Sequence, residues 1–231
     1  LVFRSNGNVL NYFYDQVDRI SQISDNIGVI ANYTYDANGN RLTVTDGLNR
    51  TMTYTYDRLN RRTTEALPSG ATTTYVYDGN SNLLTITDAN GNATTYTYSS
   101  LNQQVSHTDA LNAKTQFEYD ANGNLTKVID ANGHATTYTY DVLNRNTDIS
   151  FANGATLQYG YDELGRVISS KDRANNQFKY AYDVLGNLLS KSYPDGSIDK
   201  YSYDGVSRML SAANNDATVK FLYDHASRLL S

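Results

Sequence analysis

Three runs of alternating Asp and Asn, at Asp36/Asn38/Asn40, Asp88/Asn90/Asn92 and Asp120/Asn122/Asn124, have the oxygen spacing that opens a calcium-binding loop. Such a loop closes on a bidentate carboxylate at its twelfth position, and those positions hold Gly47, Ser99 and Ala131. One carboxylate per run makes a poor cation site, whereas Asp and Asn both bend the backbone into tight turns. Turn formation is the favoured reading. The only histidines, His107, His134 and His225, fall at different phases of the sequence pattern. They read as structural or exposed side chains, not as metal ligands or acid-base pairs. Cysteine is absent, which excludes a disulfide framework and a thiolate metal site. Serine and aspartate are plentiful, but no nucleophile elbow, in-phase histidine or glycine-rich phosphate loop accompanies them. The recurring aspartates are equally unlike the single carboxylate pair of a glycosidase. No catalytic, cofactor-binding or metal-binding residue is expected, and the chain does not read as an enzyme.

The residue type that dominates is tyrosine, with 21 copies in 231 residues. Tyr-Asp recurs at Tyr14, Tyr35, Tyr56, Tyr77, Tyr119, Tyr140, Tyr161, Tyr182 and Tyr203, and Tyr98-Ser99 fills the missing place. The step is 21 residues, except for 20 between Tyr203 and Tyr223. A second aromatic stands two residues earlier, at Tyr12, Tyr33, Tyr54, Tyr75, Tyr96, Phe117, Tyr138, Tyr159, Tyr180, Tyr201 and Phe221. Twenty of the tyrosines therefore form one ladder. A spacing of two puts both rings on one face of an extended strand, while on a helix they would point about 200° apart.

Turn signals separate the strands. Gly39, Gly123, Gly165 and Gly186 follow the tyrosine by four residues; Gly91 and Gly133 mark a second turn about 14 residues after it. Glycine and asparagine tolerate the positive φ that tight turns need. Each unit is thus a pair of strands of six to eight residues, with apolar residues alternating in the second, as at Leu42 and Val44 or Leu84 and Ile86. The expected fold is all-β: tandem 21-residue hairpins stacked into a long coiled or spiral antiparallel sheet, shell-like or barrel-like. Residues 1–231 read as a single array of about ten repeats, with no linker inside it and with more of the protein beyond it.

Composition narrows the partners. A net charge of -5 and no basic run argue against nucleic acid, and no stretch is apolar enough to insert in a membrane. Arg61, Arg145, Arg166, Arg208 and Arg228, five residues after the repeat tyrosine, are placed to pair with turn aspartates or to lie over aromatic rings. The rings themselves read as structural, their hydroxyls reaching water or a polar edge; the alternative is an exposed binding column for carbohydrate or unfolded polypeptide. The breaks in the pattern, Tyr98-Ser99 and the short final unit, read as drift and an end effect.

Tyr161-Asp162-Glu163-Leu164-Gly165-Arg166 and Tyr35-Asp36-Ala37-Asn38-Gly39-Asn40-Arg41-Leu42 resemble the YD-repeat of the RHS (rearrangement hot spot) family, and the resemblance covers essentially the whole chain. It implies a β-strip wound into a large shell, which in bacterial relatives surrounds a variable C-terminal toxin and in the related teneurins forms a barrel outside the cell. The Asp-Pro-Leu-Gly-like motif and the self-cleavage site that close many bacterial shells have no match here, so that activity is not carried over. By this resemblance the chain is a structural segment of an exported bacterial protein, secreted or on the cell surface. Its partners would be flanking repeats or identical copies, and an enclosed or displayed toxin or other cargo. The alternatives are an adhesin-like module that binds glycans or protein, and a self-assembling filament subunit.

Overall fold

The Thr-Tyr-Thr-Tyr stretches form strands because β-branched and aromatic side chains pack well on a pleated surface, and because an Asp-led turn stops each strand at a fixed place. The computed structural model describes residues 2–3 and 9–230. The architecture is all-β: tyrosine-bearing strands of six residues, such as Thr51–Tyr56 and Thr156–Tyr161, alternate with strands of five, such as Arg62–Ala66 and Val167–Lys171. Both are at or below the short end of the expected length. The residues cluster into two compact units, Leu1–Thr115 and Gln116–Ser231. In each, strands that follow one another in sequence pair antiparallel, giving an open meander of hairpins.

Both turns of a repeat are built alike. At the first, the Asp57 N–H donates to the Arg61 carbonyl and the Asn60 N–H to the Asp57 carbonyl, each at 3.0 Å. Asn60 has φ 60°. This is a type I turn closed by one left-handed residue, a common three-residue hairpin connection. At the second turn Asp46, Asn49 and Arg50 repeat the arrangement. The six predicted turn glycines, Gly39, Gly91, Gly123, Gly133, Gly165 and Gly186, occupy that left-handed position with φ between 82° and 90°.

One feature departs from the expected even alternation. Tyr56 faces Arg62 and Thr55 faces Thr64, so Thr63 is an extra residue in a β-bulge. The same slip leaves Leu42, Leu84 and Ile168 unpaired opposite their tyrosine strands. Those apolar residues, expected to alternate with their neighbours, are the bulged ones; Val44 and Ile86 are the true cross-strand partners of Tyr33 and Tyr75. The bulge goes with the first turn of a repeat: past the second turn at Asn49, which has the same kind of left-handed residue, Thr45 faces Thr51, Val44 faces Met52 and Thr43 faces Thr53 without a slip.

Neither unit holds an enclosed core. Among the described residues only Leu10, Ala31, Tyr54 and Ser106 are buried, while Leu59, Leu143, Leu164 and Leu185 project from turns. A single-layer sheet can be held only by strand pairing and by cross-strand side-chain contacts, and each repeat supplies the same set.

Candidate functional site

The feature that recurs is the joint between one repeat and the next, and it starts with the turn aspartate. One oxygen of Asp162 accepts from the backbone N–H groups of Leu164 and Arg166, at 3.0 and 2.9 Å. The other accepts from Arg166 Nε at 2.6 Å. The carboxylates of the calcium-like runs are used in the same way: Asp36, Asp88 and Asp120 each accept two backbone N–H groups and the Asn side chain four residues on. They are turn locks. Hydrogen bonds to the charged form hold these carboxyls below the usual aspartate range, chiefly from the Asn40 side chain at Asp36 and from the Arg166 backbone N–H at Asp162.

The residue five places after the tyrosine reaches across to the next repeat. Arg61 binds Asp57 at 2.7 Å through Nε, donates from Nη1 to the Asp78 carbonyl at 2.7 Å, and lies 4.7 Å over the Tyr77 ring. Arg145 and Arg166 make the same three contacts, to Asp162 and Tyr161 and to Asp183 and Tyr182. Arg208 keeps the aspartate and the ring, Asp204 and Tyr223, but turns its Nη1 to Ser227. Arg228, largely exposed, keeps Asp224. Arg19, which sequence reasoning does not single out although it stands five residues after Tyr14, occupies the slot too, bound to Asp15, the Asp36 carbonyl and the Tyr35 ring. Where the slot holds Asn, the amide bridges instead: Asn40 joins Asp36 to Asn60, and Asn124 joins Asp120 to Asn144.

The second tyrosine of each pair returns the contact. The hydroxyls of Tyr35, Tyr56, Tyr98, Tyr140, Tyr161 and Tyr182 each donate to the backbone carbonyl 15 residues earlier, at 2.7 to 3.0 Å. Tyr223 reaches 14 residues back to Met209, the register of the short final unit. These hydroxyls cap carbonyls of the neighbouring repeat that lie just before its bulged residue, as at Arg41, Leu83 and Val167. The first tyrosines sit differently: Tyr33, Tyr75, Tyr138, Tyr159 and Tyr201 face Val44, Ile86, Ile149, Ser170 and Ala212 across the hairpin. Tyr54, the most buried ring, lies under Arg62 at 4.7 Å. Tyr96 is 6.3 Å from His107, and Tyr180 meets Ser170 Oγ at 3.2 Å. Tyr119 and Tyr203 end their strands in the same phase as the other second tyrosines. The ring pairs seen, Tyr96 with His107 and Phe178 with Tyr193, do not join equivalent tyrosines of neighbouring repeats. Guanidinium groups cover the rings instead.

The opposite face of the sheet carries hydroxyls in the first unit, with Thr34–Thr43, Thr55–Thr64 and Thr97–Ser106 pairs at 2.6 to 2.7 Å. In the second unit lysine enters the phase that Thr53 and Thr74 occupy, at Lys179, Lys200 and Lys220. The histidines have local partners, His134 with Asp130 at 3.1 Å and His107 with Gln104 at 3.4 Å.

A joint repeated in this way is the mark of a repeat family, and the sequence profile described as Teneurin YD-shell matches residues 47–177 and 101–231, most of the chain. The chain belongs to the YD-shell family. The RHS Repeat profile matches residues 14–51 as well. Among solved structures, TcdB2-TccC3-TEV is 16% identical and superimposes on 96% of the chain with a TM-score of 0.71. TcdB2-TccC3 is 16% identical over 98% of it, with a TM-score of 0.53. The Photorhabdus luminescens Tc holotoxin pore is 16% identical over 96%, with a TM-score of 0.52. The chain spans 14–16% of the length of these chains. No curated protein matches it. The YD-repeat joint described above is therefore a structural element of a shell-type fold.

Proposed function

We propose that this YD-repeat chain is a wall segment of an exported bacterial shell protein, whose role is to enclose or display a toxin or other cargo and not to catalyse a reaction. The observation that carries the reading is the joint: the same tyrosine hydroxyl, aspartate lock and Arg or Asn bridge tie repeat to repeat at most joints of both units. A wall needs stiffness spread evenly along it, whereas a catalyst needs one unlike place. The matches to much longer toxin-complex chains support the same reading, since this array is about one-seventh of such a chain. A secreted or cell-surface location goes with it. The test is to express the full open reading frame and treat it with protease, with and without a substitution that breaks the repeat joints. A shell predicts a cargo segment protected in the intact protein and digested in the variant. A full-length protein with no further repeats, or with every segment equally sensitive, would end the proposal.

A further inference from the structure

Tyr193 is the one tyrosine outside the ladder. It stands where Asp130 and Asp172 lock the second turn in earlier repeats, and its hydroxyl donates instead to Asp199 Oδ2 at 2.7 Å. The ring is held from two sides: Phe178 meets it edge-on at 5.9 Å and Lys191 Nζ lies 4.5 Å over it. The Asp199 carboxylate raises the Tyr193 pKa, so the phenol stays a donor. Tyr201, on the neighbouring ladder position, points its hydroxyl at the same oxygen from 3.4 Å. Asp199 is therefore aimed through Oδ2, while Oδ1 makes no hydrogen bond among the described residues.

Beside this carboxylate the sheet is hollow. An open depression of about 250 Å³ is lined by Asp199, Tyr201, Ala212, Ala213 and Val219. Ala212 faces Tyr201 across the hairpin, the place held by Val44, Ile86 and Ile149 against their tyrosines. The two preceding repeats hold Ser170 and Lys191 there, and Ala212, with the smallest side chain at that place, leaves the space open. The turn beside it is also altered: Asn214 closes on Ala217 in four residues, where Asp172 closes on Asn176 in five. The shortened repeat, which the sequence suggests is an end effect, coincides with the large-to-small change and with the carboxylate.

We propose that this depression in the second unit is a subsite for one neutral sugar ring of a glycan. A pyranose presents a C–H face and a rim of hydroxyl donors. The depression offers the matching pair, an aromatic and aliphatic wall from Tyr201, Ala212 and Val219, and a fixed acceptor at Asp199 Oδ1. Its size suits a single ring, below the roughly 300–1,000 Å³ of pockets that take drug-sized molecules. The preset carboxylate selects hydroxyl donors and disfavours anionic sugars. The inference stands apart from the wall reading, since a wall can carry or lack such a subsite.

The chain is titrated with glucose, galactose, N-acetylglucosamine and sialic acid at millimolar concentrations, followed by NMR shifts. Binding of a neutral sugar should move the signals of Ala212, Ala213 and Tyr201, and Asp199→Asn should weaken it about tenfold by removing a charge-assisted acceptor. Ala212→Ile restores the residue of other repeats, fills the hollow and should abolish binding with the fold intact. Absence of shifts with every neutral sugar, equal binding by Ala212→Ile, or binding of sialic acid alone would overturn the proposal.

Discussion

If the tyrosine hydroxyl is a structural bolt between repeats, removing it while keeping the ring should loosen the array by a predictable amount. In the second unit Tyr140, Tyr161 and Tyr182 donate to the Leu125, Asn146 and Val167 carbonyls at 2.8, 2.7 and 3.0 Å. Substitution by Phe leaves each ring, and leaves Arg145 and Arg166 over the rings of residues 161 and 182. Only the hydrogen bond is lost, at about 0.5–1.5 kcal/mol each. The three sites lie two strands apart, about 10 Å, so their effects should add. The triple variant should lose about 3 kcal/mol and melt about 6–12 °C lower, at about 2–4 °C per kcal/mol for a chain of this size. Because a repeat array can open locally, amide exchange should rise in strands Leu125–Ile129, Asn146–Ser150 and Val167–Lys171, which accept the bonds. Tyr138→Phe with Tyr159→Phe is the control, since those hydroxyls make no hydrogen bond among the described residues; it should stay within about 0.5 kcal/mol per site. A triple variant as stable as the parent, or a control that falls as far, would show that the rings alone act.

Arg166→Lys keeps the charge beside Asp162 but loses the bond to the Asp183 carbonyl and the flat cover over Tyr182. It should cost about 1–2 kcal/mol by thermal unfolding, and an unchanged melting temperature would reduce the bridge to simple charge pairing. Gly186 has φ 90° and an added Cβ would meet nothing, so Gly186→Ala should lose about 1–2 kcal/mol to backbone strain alone. Asn49→Gly, at φ 60° and with no side-chain hydrogen bond among the described residues, should change stability by only a few tenths of a kcal/mol, and equal losses in both would contradict the turn assignment. The turn aspartates have folded pKa values below the unfolded one, so their contribution is present above about pH 4 and lost as pH falls through the folded values. Melting temperature against pH should drop on that acid limb, less steeply in Asp162→Asn; a flat limb in the parent would refute the lock.

The repeat, its strands and its turn residues were legible in the sequence because each leaves a periodic mark. Two aromatics spaced by two define a face, and Gly or Asn at one phase defines a left-handed turn position. The Arg slot was also visible as a phase, though not its reach to the next repeat's carbonyl. The bulge was not legible. Apolar residues such as Leu42 and Ile168 look like members of a regular alternation, and only the pairing shows that they are extra. The hydroxyl-to-carbonyl bond was hidden for a similar reason: periodicity tells which way a ring faces, but not what its far end touches in a neighbour 15 residues away. The hollow beside Asp199 was hidden because its parts are individually ordinary. Ala212, a short turn and an odd tyrosine acquire meaning only when the register brings them together.

The division of labour inside the repeat explains why such a fold can carry different surfaces. Four places per unit fix the geometry: the second tyrosine, the turn aspartate, the left-handed residue and the Arg or Asn that bridges forward. Each acts on the adjacent repeat, so a change elsewhere in the unit disturbs at most its neighbours. Apart from the first aromatic of each pair, which is Tyr or Phe in every repeat, the other face positions vary. One phase holds Thr53 and Thr74 in the first unit but Lys179 and Lys200 in the second; another holds Val44, then Lys191, then Ala212. In a packed globular core, such exchanges of size and charge would cost several kcal/mol each. Here they fall on exposed or half-buried positions of a single-layer sheet, where surface substitutions usually cost under about 0.5 kcal/mol. The joint therefore holds the wall while its faces diverge, and a recognition site can arise in one repeat without refolding the rest.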